Sequence, residues 1–130
     1  MNLLEYATGI QHIGIPTQDF SRSMQFYLDL GMRLDWRTSA EQQNQVAFFS
    51  HGSLVIELYQ ATQTAMHSGA VDHIAIDILD VDAAYRLAQA QGYTLLDDHI
   101  QSLPLLEGGV RFFMIEGPNR EKIEFCQTMK

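Results

Sequence analysis

Apolar residues alternate with polar or small ones over Ile10–Ile15, give way to a helical stripe, and then return to alternation three more times. Side chains of a strand point to opposite faces in turn, whereas a helix repeats every three or four residues, so the change of period marks the change of element. The spacing predicts a helix capped by Asp19, with Phe20, Met24, Tyr27 and Leu28 on its apolar stripe and its end before Gly31. Strands are then expected over Met32–Trp36, Gln45–Ser50 and Ser53–Gln60, with His51 and Gly52 turning between the last two. The second half repeats the order. A strand runs over His73–Ile78. Asp80 caps a helix striped by Val81, Ala84, Tyr85 and Ala88, and Gly92 closes it. Strands follow at Thr94–Asp97, Val110–Glu116 and Glu121–Gln127, the last two joined by a turn containing Gly117, Pro118 and Asn119.

The two halves are copies. His12 matches His73 at an offset of 61 residues, and the offset holds through Asp19 and Asp80, Gly31 and Gly92, and Leu34 and Leu95. Phe48-Phe49 and Phe112-Phe113 are read as a further matched pair. Module one covers about residues 9–60 and module two about 70–127, with the polar, small-residue stretch Ala61–Gly69 as linker. Two units are too few for a solenoid. They suit two halves of one sheet-based domain over residues 1–130, in the α+β class.

Alternation also sorts the chemistry. In the first strand Ile13 and Ile15 share one face, and His12, Gly14 and Pro16 the other. In its twin, Ile74, Ile76 and Ile78 oppose His73, Ala75 and Asp77. Glu57 and Glu124 stand opposite Ile56 and Leu58, and Ile123 and Phe125, in the last strand of each copy. The branched and aromatic faces belong under the helices. The other faces carry His12, Glu57, His73 and Glu124 among small residues, which predicts a hollow lined by two imidazoles and two carboxylates. Two neutral imidazoles and two carboxylates balance a divalent cation, and mixed nitrogen and oxygen donors suit nickel, zinc, cobalt, manganese or ferrous iron. Four protein ligands leave positions for water or substrate if the ion is six-coordinate, as a catalytic site requires.

Tyr59 and Asp77 share the ligand faces and are candidate substrate contacts. Arg37, Arg111 and Arg120 are the candidate anion-binding residues, Arg111 following Gly108-Gly109 at the end of a long segment, Asp97–Gly109, read as a lid. His51, His67 and His99 fall in turns or loops and read as surface residues. Cys126 lies beside Glu124 and reads as an inert buried thiol.

Composition narrows the classes. A net charge of −8 argues against nucleic acid and anionic membrane surfaces as partners and leaves a small molecule. No stretch approaches the ~20 apolar residues of a membrane span. The N-terminus lacks the pattern of a signal peptide. Cys126 is the sole cysteine, so no internal disulfide forms, and the chain is expected in the cytoplasm.

Four segments carry a family resemblance: Ile10–Ile15, Ser23–Gly31, Val71–Ile76 and Glu116–Phe125. With these the chain resembles the vicinal oxygen chelate superfamily, which includes glyoxalase I, fosfomycin-resistance proteins, methylmalonyl-CoA epimerase, ring-cleaving dioxygenases and bleomycin-resistance proteins. The resemblance implies two tandem βαβββ modules forming an incomplete barrel around a metal. It places the ligands at His12, Glu57, His73 and Glu124, a set most similar to bacterial glyoxalase I, the lactoylglutathione lyase. It implies a lyase or isomerase that moves a proton on an α-hydroxycarbonyl substrate, such as a hemithioacetal, through a metal-stabilised enediolate. Glu124 is the first candidate for the base and Glu57 its opposite-face partner. A homodimer is also implied, to which Leu3, Leu4 and Tyr6 are expected to contribute. Pro16 stands where bacterial glyoxalase I has a glutathione-holding arginine, and Tyr59-Gln60 stand in the region of its asparagine, so metal chemistry carries over better than glutathione specificity. The alternatives are an epimerase-like or other metal enzyme of the superfamily, and a bleomycin-resistance-like binding protein.

Overall fold

A strand, a helix and an edge-to-edge set of further strands form in each half because the local signals agree with one another. The computed structural model describes residues 2–129, and the chain divides into two compact units, Met1–Thr64 and Ala65–Lys130.

Unit 1 opens with a single 3-10 turn, Leu3–Tyr6, whose Leu3, Leu4 and Tyr6 are exposed. Its sheet contains β1 (Ile13–Thr17), β2 (Arg33–Arg37), β3 (Val46–His51) and β4 (Leu54–Gln60), in the order β1-β4-β3-β2. β1 runs parallel to β4, and the remaining pairs are antiparallel. Parallel pairing needs a long crossover, and α1 (Phe20–Leu30) lies within it. Asp19 caps α1 by accepting from the Arg22 amide at 3.1 Å. Gly31 closes it at φ 106°, a left-handed conformation that costs glycine little. Tyr27, Phe49, Ile56 and Leu58 are the fully buried core under the helix, with the Tyr27 and Phe49 rings 6.1 Å apart. The stripe is narrower than the sequence predicts: Leu28 sits at its margin and is exposed. A buried hydrogen bond of 2.7 Å between the Thr17 and Ser23 hydroxyls ties the end of β1 to α1.

Unit 2 repeats this plan with β5 (Ile74–Asp77), α2 (Val81–Ala90), β6 (Thr94–Leu95), β7 (Gln101–Leu103), β8 (Val110–Glu116) and β9 (Lys122–Thr128). The sheet order is β5-β9-β8-β6, with β7 also on β8 and β5 parallel to β9. Neither sheet closes on itself. Asp80 caps α2 through the Ala83 amide at 3.0 Å, and Gly92 follows the helix at φ 77°. Val81, Phe113, Ile115 and Ile123 are the buried centre.

The structure corrects two expectations. Gln101–Leu103 is not free loop, because β7 pairs antiparallel with β8 from Gln101↔Phe112 to Leu103↔Val110. β6 and β7 together hold the edge that β2 holds alone in unit 1, which leaves residues 97–100 and 104–109 of the expected lid outside the strands. The matched aromatic pair is also misplaced. Phe48 lies opposite Glu57 and Met114 opposite Glu124, so Phe48-Phe49 corresponds to Met114-Ile115, not Phe112-Phe113. Phe48 precedes Glu57 by 57 − 48 = 9 residues and Met114 precedes Glu124 by 124 − 114 = 10, whereas Phe112 precedes it by 124 − 112 = 12.

The caps give a first expected result. Asp19→Ala and Asp80→Ala each leave helix amides unpaired and lower stability by about 0.5–2 kcal/mol. Urea unfolding of the two variants measures it, and an unchanged midpoint in both would contradict the capping account.

Candidate metal centre

Parallel pairing sets the geometry of each half-site. In unit 1, Gly14 on β1 is registered with Glu57 on β4, and Glu57 with Phe48 on β3. Odd and even positions alternate, so this row lies on the face away from the α1-covered core of Phe49, Ile56 and Leu58. His12 precedes β1 and brings Nε2 to 3.4 Å from Glu57 Oε1. Its ring meets Phe48 edge-on at 5.6 Å, and Phe48 meets the half-exposed Trp36 at 6.3 Å. A Cβ added to Gly14 would lie 3.5 Å from both Glu57 Oε1 and the Tyr59 ring, so Tyr59 shares this face beside the glutamate.

Unit 2 reproduces the arrangement. Ala75 is registered with Glu124, and Glu124 with Met114. His73 Nε2 stands 3.4 Å from Glu124 Oε1. Asp77 is registered with Cys126 on the same face. Burial first, and then the charge of Glu124, push the Cys126 thiol up.

Each imidazole is held from behind. Nδ1 of His12 lies 2.9 Å from Gln11 Oε1, and Nδ1 of His73 lies 2.9 Å from Asp72 Oδ2. Both rings therefore turn Nε2 toward a glutamate. An N–O separation of 3.4 Å is long for a hydrogen bond. It matches two donors on a common ion, which at bonds of ~2.1 Å lie roughly 3.0–3.4 Å apart. The donor sets fit a divalent cation on this ground. Among the described residues no group of three or more His, Cys, Asp or Glu side chains is gathered to hold a metal ion. What the structure displays is two His–Glu pairs, one per unit.

Two of the candidate arginines are elsewhere. Arg111 is registered with Gln127, on the α2 side of β8, and makes a bidentate pair with Asp82 at 2.8 and 3.0 Å. Arg37 is registered with the buried Ala47. It donates to the Thr38 carbonyl and to Gln45 Oε1 at 3.0 and 2.8 Å, with its guanidinium 5.9 Å from the Phe20 ring centre. Neither shares a face with the glutamates. Arg120 is exposed, at φ 60° in the turn after β8, with Glu116 at 3.7 Å. His51, His67 and His99 are exposed as expected. The partners Gln11 and Asp72 are the residues that reading from sequence missed, although each directly precedes its histidine.

Arg111 yields a second expected result. Its hydrogen bonds hold the Asp82 carboxyl below the usual range. A depressed folded-state pKa stabilises the fold above the unfolded value, about 3.9, and that contribution is lost as pH falls through the folded pKa. Arg111→Met removes the contribution, so wild-type and variant melting temperatures differ near neutral pH and converge at strongly acid pH. Parallel melting curves down the whole acid range would contradict the pairing.

The chain belongs to the Glyoxalase/Bleomycin resistance protein/Dioxygenase superfamily, whose family model matches residues 9–125. It is 38% identical over 127 residues to an uncharacterized Bacillus subtilis (strain 168) protein, YwbC, covering 93% of this chain and 98% of that protein. Among solved structures it is similar to a glyoxalase family protein from Enterococcus faecalis (TM-score 0.72, 16% identity, 93% of this chain and 98% of that one). It is also similar to the fosfomycin resistance protein FosX from Listeria monocytogenes complexed with Mn(II) and sulfate (TM-score 0.72, 15% identity, 94% and 93%). At these identities the structures show the fold alone. Among the described residues no helix is long and apolar enough to cross a membrane.

Proposed function

We propose that the protein is a divalent-metal-dependent enzyme of the glyoxalase I-like lyase or isomerase kind. His12, Glu57, His73 and Glu124 would hold the ion, and the substrate is an α-hydroxycarbonyl compound of the hemithioacetal type. One observation carries this reading: a His–Glu pair with the same 3.4 Å separation recurs at equivalent register in both units. A superfamily relative of the same fold crystallised with Mn(II) supports a divalent ion, and the donor set also accepts nickel, zinc, cobalt or ferrous iron.

Such an ion supplies polarisation of a substrate carbonyl, lowering the cost of negative charge on its oxygens. The remaining work falls to the chain. Glu124 is the first candidate to take the proton from the carbon beside that carbonyl, with Glu57 as its partner. The Glu124 side chain is 12% exposed against 26% for Glu57, so it is the better shielded from competing water. Tyr59, Asp77 and Arg120 are the candidates for contacting substrate; Arg37 and Arg111 are engaged in structure. Pro16, which offers no side-chain donor, favours a thiol other than glutathione, or an epimerase-like reaction that shares the proton abstraction. A cytoplasmic homodimer remains part of the proposal, the exposed Leu3, Leu4 and Tyr6 supporting an interface.

The test is an assay of metal-loaded protein on methylglyoxal hemithioacetals of glutathione and other thiols in deuterated water. Metal-dependent turnover with solvent deuterium in the product is expected, and Glu124→Gln loses about 100-fold or more in kcat. Loaded protein that neither turns over nor exchanges the substrate proton would sink the lyase assignment.

A further inference from the structure

The two imidazoles are braced differently. The partner of His73 is the side chain of Asp72, a carboxylate whose Oδ2 lies 2.9 Å from Nδ1. An ionised carboxylate only accepts hydrogen bonds. The hydrogen on His73 Nδ1 is therefore obligatory, and in the neutral ring the lone pair lies on Nε2, the atom facing Glu124 at 3.4 Å. Lys122 Nζ holds the other oxygen of Asp72 at 3.2 Å, from the strand that carries Glu124. One strand thus supplies both the glutamate and the brace. The partner of His12 is an amide. Gln11 offers Oε1 at 2.9 Å as placed, but the same side chain turned over offers an NH₂ donor instead. Nothing in Gln11 fixes the tautomer of His12.

We infer that Asp72, braced by Lys122, is a positioning residue that locks His73 in the Nδ1–H form, whereas Gln11 leaves His12 free to exchange tautomers. The second unit is thereby preorganised to present Nε2 to a cation, and the first pays for the same arrangement on binding. Partners of this kind are worth about 10–100-fold in metal affinity. This inference rests on the metal reading above and deepens it.

The experiment has two arms that fail separately. In metal-free protein, nitrogen-15 NMR of the histidine rings reports tautomers directly, with His99, which contacts Asp98 through Nδ1, as an internal reference. The expected result is a His73 ring in the Nδ1–H form and a mixed His12 ring. Asp72→Asn gives His73 a partner like Gln11 and mixes it, Gln11→Glu locks His12, and Asp72→Glu keeps the lock. Lys122→Met weakens it without touching the ring's neighbour. In the second arm Co²⁺ alone is titrated and read by visible absorption. Asp72→Asn is expected to weaken binding about 10–100-fold, with the melting temperature of the metal-free protein unchanged.

A His73 ring whose tautomers are mixed in wild type, or unaltered by Asp72→Asn, overturns the inference and leaves the metal reading intact. Co²⁺ affinity unaffected by Asp72→Asn also overturns it. A locked His73 in a wild-type protein that takes up no Co²⁺ overturns the metal reading and leaves the lock standing.

Discussion

Alanine at position 73 should weaken divalent-cation binding by more than about 100-fold, since loss of an outer partner of a ligating histidine alone costs about 10–100-fold. His73→Ala removes Nε2 from its place 3.4 Å from Glu124 and leaves that carboxylate without its nitrogen partner. The fold is expected to survive, because His73 precedes β5, is exposed, and belongs to no part of the α2-covered core. Titration calorimetry with Co²⁺ and competition with Zn²⁺ read the effect, alongside far-ultraviolet circular dichroism as a check on folding. His12→Ala should also weaken binding strongly, though less, because His12 must settle into its binding form. Wild-type affinity in a folded His73→Ala protein would remove this residue from the site.

Phe113→Ala is the largest expected loss of stability. Phe113 is 1% exposed, meets Tyr85 of α2 edge-on at 5.2 Å and stacks on Phe125 at 5.2 Å. Deleting the ring removes apolar surface from the core and leaves a cavity among aromatic neighbours, which relax only in part, at about 3–5 kcal/mol. Urea unfolding followed by circular dichroism measures the change. Leu79→Ala is the contrast: at 93% exposure it should alter stability by at most about 0.5 kcal/mol. Trp36, the sole tryptophan, lies in unit 1, so its fluorescence reports on the unit that does not contain Phe113. A Phe113→Ala variant as stable as wild type would contradict the packing described for unit 2.

The parts of the fold legible in sequence are those written in neighbouring residues. Alternation at Ile13–Ile15, the caps Asp19 and Asp80, and the closing glycines Gly31 and Gly92 depend on a few adjacent positions, and the observed elements follow them. Strand partners are set by long-range pairing, and there the reading slipped. Asp97, Asp98 and His99 interrupt the outer edge of unit 2, so β6 and β7 read as one strand and a loop, although both bond to β8. The likeness of the two Phe-Phe pairs hid the correspondence of Phe48 with Met114, which only the cross-strand register shows.

Of the candidate site, alternation showed which residues share a face in each copy. That His12 comes beside Glu57 and His73 beside Glu124 follows from the parallel pairing of β1 with β4 and β5 with β9, which the pattern did not state. The arginines were not legible. Whether Arg37 or Arg111 shares the glutamate face depends on cross-strand register, and each falls on the helix side. The braces Gln11 and Asp72 were visible in sequence only as the polar residues before each histidine. Their role emerges when Nδ1 is found at 2.9 Å from both.

The most direct test is the stoichiometry of Co²⁺ on metal-free wild-type chain, measured by equilibrium titration with the four single alanine variants in parallel. The account predicts a single ion per chain whose binding is lost or severely weakened by each of His12→Ala, Glu57→Ala, His73→Ala and Glu124→Ala. Two independent ions per chain, one for each His–Glu pair, or no ion at all, would contradict it.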